Sequence, residues 1–180
     1  MITVFYKKNR KKILAVILIL AIIGTLIFIF SNSIKNKEQS SSQSSQIATT
    51  VKPIVDPSDN IPFNIFEHHI RKLAHFSEFC LLGFELFLLL CLLCDGFRNV
   101  NAPKYLTALF FALIAALADE TVQIFSDRGS AVTDVWIDFS GAITGTLIAF
   151  VILLLADIIA SKIKKRRIKR DNHKKNLKKT

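Results

Sequence analysis

Cysteine is scarce in this chain, with three in 180 residues, and the scarcity narrows the chemistry. Cys91 and Cys94 form a single CxxC with no second pair and no histidine close by in sequence, which argues against a zinc centre. They and Cys80 are read as apolar thiols packed within helices. No serine or cysteine nucleophile motif is visible, and no internal repeat is evident. Negative charge is in the minority: 14 acidic residues stand against 24 basic ones, for a net charge of +10. Charge of either sign is missing altogether from Ile13 to Phe30, 18 residues in a row.

That last absence sets the fold class. Half the chain is hydrophobic, and the apolar residues are gathered into long runs. Besides Ile13 to Phe30 these are Leu73 to Cys94, Tyr105 to Leu117 and Phe139 to Ala156. Counted with its polar end, each approaches the roughly 20 residues that cross about 30 Å of hydrocarbon. The expectation is an all-α integral membrane protein with four transmembrane helices. The first apolar run exceeds the usual signal-peptide core of about 7 to 15 residues, so it is read as an uncleaved anchor.

Basic residues give the orientation. Lys7, Lys8, Arg10, Lys11 and Lys12 precede the first span, eleven more lie between Lys162 and Lys179, and Arg98 and Lys104 fall between spans two and three. In a four-span arrangement these 18 of 24 share one side, which places both termini in the cytoplasm. The tail has no aromatic residue for base stacking, so its charge is assigned to orientation and anionic lipid, not to nucleic acid.

The resulting organisation is a cytoplasmic basic N-terminus (1–12), a first span (13–30), an extracytoplasmic Ser- and Pro-containing linker (31–71), a polar-rich core (72–145), the rest of span four (146–156) and a basic tail (157–180). Ser40 to Ser45, Pro53 and Pro57 suggest a solvated spacer. Residues 61–70 suit a short helix at the membrane surface. His68 and His69 are read as exposed. Span one, with Gly24 as a contact point, is expected to anchor and pack.

Against this background the acids stand out. Each carboxylate placed in hydrocarbon costs about 2.5 to 3.5 kcal/mol, so it is expected to face the protein interior and to act there. Lys72, His75 and Glu78 share one face of span two, with Glu85 beneath Glu78. Asp119, Glu120 and Gln123 end span three above a stripe of Ala108, Ala112, Ala115 and Ala116. Asp134 and Asp138 sit over Gly141 and Gly145, a GxxxG pair suited to close helix packing. With 1.5 Å of rise per residue, Glu78, Asp119 and Asp138 reach similar depths, about 6 to 10 Å in from the outer side. Arg128 lies close by in sequence. Glu85 is deeper, and its carboxyl is expected to be protonated and bonded to backbone.

The motif KLAHFSEFCLLG, carrying Lys72, His75, Phe76, Glu78, Phe79, Leu82 and Gly83, is followed by Asp119, Glu120, Gln123, Phe125 and Arg128, then by Asp134, Asp138, Gly141 and Gly145. In order and spacing this resembles the VanZ-like membrane proteins, with Phe79 where that pattern often has Tyr and Asp138 where it often has Asn. The resemblance implies a small multipass protein of the bacterial cell envelope, in a cytoplasmic membrane, linked in some members to teicoplanin resistance. It implies no biochemical activity.

Three functions are therefore weighed. The first is a non-enzymatic pocket in the outer leaflet that binds an envelope lipid, a cell-wall precursor or the antibiotic, with Arg71, Lys72 and Arg128 on anionic groups. The second is an intramembrane hydrolase or transferase on a lipid-linked precursor, with His75 as acid or base and a divalent cation such as Mg²⁺ held by Asp119, Glu120 and Asp138. The third, a proton-coupled transporter, fits poorly with four spans and charges gathered at one face.

Overall fold

In a computed structural model the protein is described over residues 2–94, 102–126 and 131–177, with side chains from 9 to 170 of these. Arg98 and Arg128 lie outside the described residues. The elements run α1 (Ile2–Ser33), α2 (Lys37–Val55), α3 (Phe63–Cys94), α4 (Ala102–Phe125) and α5 (Val132–Leu177). Among the described residues there is no strand. Four of the helices, all but α2, are long and apolar enough to cross a membrane.

Helix α3 is central and packs most extensively on α5, with α1, α4 and α2 also against it. Small residues set that principal contact. A Cβ at Gly83 would collide with the Ala142 carbonyl, at Gly141 with the Phe76 carbonyl and at Gly145 with the Cys80 carbonyl. Backbone meets backbone there, the close approach that small residues allow. Thr146 adds a hydroxyl that donates to the Ala142 carbonyl at 2.8 Å and to the Gly83 carbonyl at 3.3 Å. Leu82, Phe79, Ala112, Ala116 and Ala142 fill one core, joined by Ile22 and Ile29 of α1; Phe87, Cys91, Ala108 and Ala149 fill a second. Outward-facing residues such as Leu20, Phe110 and Ile152 form the apolar exterior that lipid requires.

Three features depart from the sequence reading. The Ser-rich segment is helical over α2, not an irregular spacer. Its N-terminus is fixed by a capping box in which Asn36 accepts from the Gln39 amide and the Gln39 side chain accepts from the Asn36 amide. Ser40, Ser44, Ala48 and Lys52 recur every four residues and are buried, a stripe whose three small residues let α2 pack against α3. Pro53 falls in the last turn, where it ends the helix instead of breaking it.

The surface helix expected at 61–70 is the first part of α3. Residues 63 to 94 form one helix, started by Pro62, whose carbonyl accepts from the amides of Ile65 and Phe66 at 3.0 Å each. Gly24, finally, is not a contact point: nothing lies within 4 Å of a Cβ placed there.

Candidate functional site

At the end of the bundle where α1 stops and α3 starts, three helices present polar side chains to one another. Asp119 of α4 and Asp138 of α5 are 0% and 1% exposed, and His75 of α3 lies beside them. One ligand-capable atom from each of the three lies within 4.8 Å of the other two. His75 Nδ1 is 3.9 Å from Asp119 Oδ2.

Asp119 is held from two sides. The Ser33 hydroxyl donates to its Oδ1 at 2.5 Å, and Gln123 Nε2 donates to its Oδ2 at 2.7 Å. Asp138 contrasts with it: neither carboxylate oxygen has a hydrogen-bond partner among the described residues. Glu120 is buried and accepts from the Ala131 amide at 3.2 Å. Glu78 accepts from the Asn32 amide group at 2.9 Å. Nearer the mouth, Lys72 pairs with Asp134 at 3.1 Å, both about a third exposed.

Of the residues singled out in the sequence, the structure therefore brings together Lys72, His75, Glu120, Gln123, Asp134 and Asp138 around one small pocket of about 30 Å³. Asp119 does not line the pocket but is buried behind it, beside His75. Glu78 lines, with His75 and Arg71, a second and wider groove of about 430 Å³ between α1, α2 and α3. His68 and His69 are exposed, yet His68 also borders the smaller pocket, where its Nδ1 accepts from Arg71 at 3.0 Å. Gly141 and Gly145 sit below, clamping α5 to α3. Arg128 lies outside the described residues.

The contribution of α1 escaped the sequence reading. Ser33 and Asn32 reach into the cluster, and Thr25 supplies the partner of Glu85, its hydroxyl donating to Glu85 Oε2 at 2.9 Å. Glu85 is thus bonded to a side chain from another helix, not to backbone as expected. A signal was present. Ile22, Thr25, Ile29 and Ser33 recur at helical spacing and are the buried stripe of α1, with hydroxyls at two of the four positions.

Four helices of membrane-crossing length, with a half-buried histidine and buried acids gathered between them, define a multi-pass membrane protein with a polar cluster inside its helix bundle. The VanZ/LLP1 family model matches residues 14–154, and the chain belongs to that family. Among curated proteins and solved structures, none matches it.

Proposed function

We propose that this VanZ/LLP1 protein works in the outer leaflet of a bacterial cytoplasmic membrane, where its polar site binds the anionic headgroup of an envelope lipid or lipid-linked wall precursor and so lowers susceptibility to teicoplanin-type glycopeptides. The observation that carries this reading is the meeting of two unlike cavities at Arg71 and His75. The smaller one is polar, with Lys72 and Arg71 at its edge. The larger has Phe28, Ile47, Ile70 and Ala74 among its lining residues together with Lys35.

An amphipathic molecule suits that pair. Its phosphate would meet Arg71, whose guanidinium can fork onto two oxygens, and Lys72, a point charge already screened on one side by Asp134. Its chain would lie along the apolar part of the groove. Sugar hydroxyls or amines would find acceptors in Glu120 and Asp138. The binding pocket needs no reaction to act, because sequestering or shielding a precursor headgroup is enough to change what an antibiotic meets.

Expression in a glycopeptide-sensitive bacterium tests this reading. Wild-type protein is expected to raise the teicoplanin concentration needed to stop growth, and His75→Ala, Asp119→Asn and Glu120→Gln are expected to lose most of that protection at equal membrane levels. Wild type that confers no protection at normal membrane levels withdraws the assignment. Protection retained by all three variants moves the active surface elsewhere.

A further inference from the structure

The buried acids beside the polar pocket have a property that headgroup binding does not require. Asp119 and Asp138, on different helices, are both buried and are gathered with His75 in one cluster. Two carboxylates in such a place repel each other and lack hydration, and buried charges persist when they are paired or coordinate a cation. Asp119 has its hydrogen bonds from Ser33 and Gln123. Asp138, although 1% exposed, has a partner for neither oxygen among the described residues and points into the cluster. We propose that His75, Asp119 and Asp138 form a binding site for one divalent cation of the Mn²⁺ or Zn²⁺ type.

The donor set favours those ions. One imidazole nitrogen with two carboxylates is a mixed set: oxygen donors alone would suit Mg²⁺ or Ca²⁺, and imidazole shifts preference toward Zn²⁺ and other transition ions. Metal to ligand distances of about 2.0 to 2.2 Å put neighbouring donors roughly 3 to 3.5 Å apart, so His75 Nδ1 and Asp119 Oδ2, now 3.9 Å apart, must close by about 0.5 to 1 Å, and a pair near the 4.8 Å limit by about 1.5 Å, movements within reach of side-chain rotation. Ser33 and Gln123 already fix the Asp119 carboxylate. Hydrogen bonds of that kind hold a ligating carboxylate in orientation and tune the bound ion.

Two of the three ligands, His75 and Asp138, line the small pocket together with Lys72 and Glu120. The remaining coordination positions are therefore left for water or for an anionic oxygen entering the pocket. This site stands on the geometry of the cluster and not on the resistance reading, and its test reads metal and not growth.

The full chain, without a polyhistidine tag, would be purified in detergent, stripped with chelator, equilibrated separately with MnCl₂ and ZnCl₂, desalted and analysed by elemental mass spectrometry. Wild type is expected to keep about one ion per chain, and Asp138→Asn and His75→Ala to keep less than about a tenth of that. Because a variant can fail to assemble, the Mn²⁺-loaded wild type supplies a second measurement: pulsed electron paramagnetic resonance should show nitrogen coupling from one imidazole. Wild type that retains no ion from either salt overturns the proposal, since the acids would then share a proton instead. So does Asp138→Asn retaining as much as wild type, or bound Mn²⁺ without nitrogen coupling.

Discussion

Gly145 occupies a point where α5 has no room for a side chain, since a Cβ there would overlap the carbonyl oxygen of Cys80 and press on the Phe84 amide nitrogen. Backbone cannot rotate away as a side-chain tip can. Gly145→Ala should therefore force α3 and α5 apart and cost about 1 to 3 kcal/mol, the usual range for overpacking. Gly24→Ala gives the contrast. With nothing within 4 Å of the new methyl, it should be neutral or stabilise by about 0.5 to 1 kcal/mol through helix propensity alone. Reversible unfolding in mixed micelles checks both, and equal effects at the two glycines would refute the close approach. The GxxxG spacing made Gly141 and Gly145 legible in the sequence, whereas Gly24 carried no such pattern. Glu85 was legible as a buried acid but not by its partner, because nothing local links Thr25 to a residue sixty positions away.

At the scale of elements, α2 depends on its ends as much as on its face. Its C-terminal end is closed by Asp56, which accepts from the Ile61 amide at 2.8 Å and the Asn60 amide at 3.0 Å. Lys52 pairs with Asp56 at 3.1 Å and with Asp59, whose φ of 52° puts the chain in the left-handed region that Asp tolerates. These bonds fix the pH response. The Ile61 amide, then Asn60 and Lys52, hold the Asp56 carboxyl below its ordinary 3.8, so its contribution is present above that value and lost as pH falls through the lowered one. The bond to Asp59, followed by Asp56, raises Lys52 above 10.5, so its contribution is complete below that value and lost as pH rises through the raised one. Amide exchange at Asn60 and Ile61, corrected for intrinsic rate, should show steady protection between about pH 5 and 9 and a fall below 3.8. Asp56→Asn should show weaker protection and no acid step; the same acid step in the variant would remove Asp56 from the account. The helix itself was hidden in the sequence because serine and proline argue singly against it. The pattern that wins is the four-residue recurrence from Ser40 to Lys52 together with the hydrogen bonds of Ser41 and Ser44 to Glu67, at 2.8 and 2.6 Å.

For the whole molecule, hydropathy made the four long helices legible, and the cost of a carboxylate in hydrocarbon made most of the acid cluster legible with them. Which helices would share it was not, since spacing along one helix says nothing about its neighbours. Orientation is the remaining whole-molecule property that the sequence predicts, through the 18 of 24 basic residues on one side. Single-cysteine chains test it. Cys94, exposed at the far end of α3, is kept alone by replacing Cys80 and Cys91 with Ala, and a second chain carries only Ser42→Cys on the exposed face of α2. A membrane-impermeant maleimide added to intact cells should label residue 42 and leave Cys94 unlabelled until the cells are opened. The reverse pattern would place the His75, Asp119 and Asp138 cluster near the cytoplasmic surface. Envelope precursors on the outer face would then be out of reach, while the cation site, which depends only on how the three helices meet, would be unaffected.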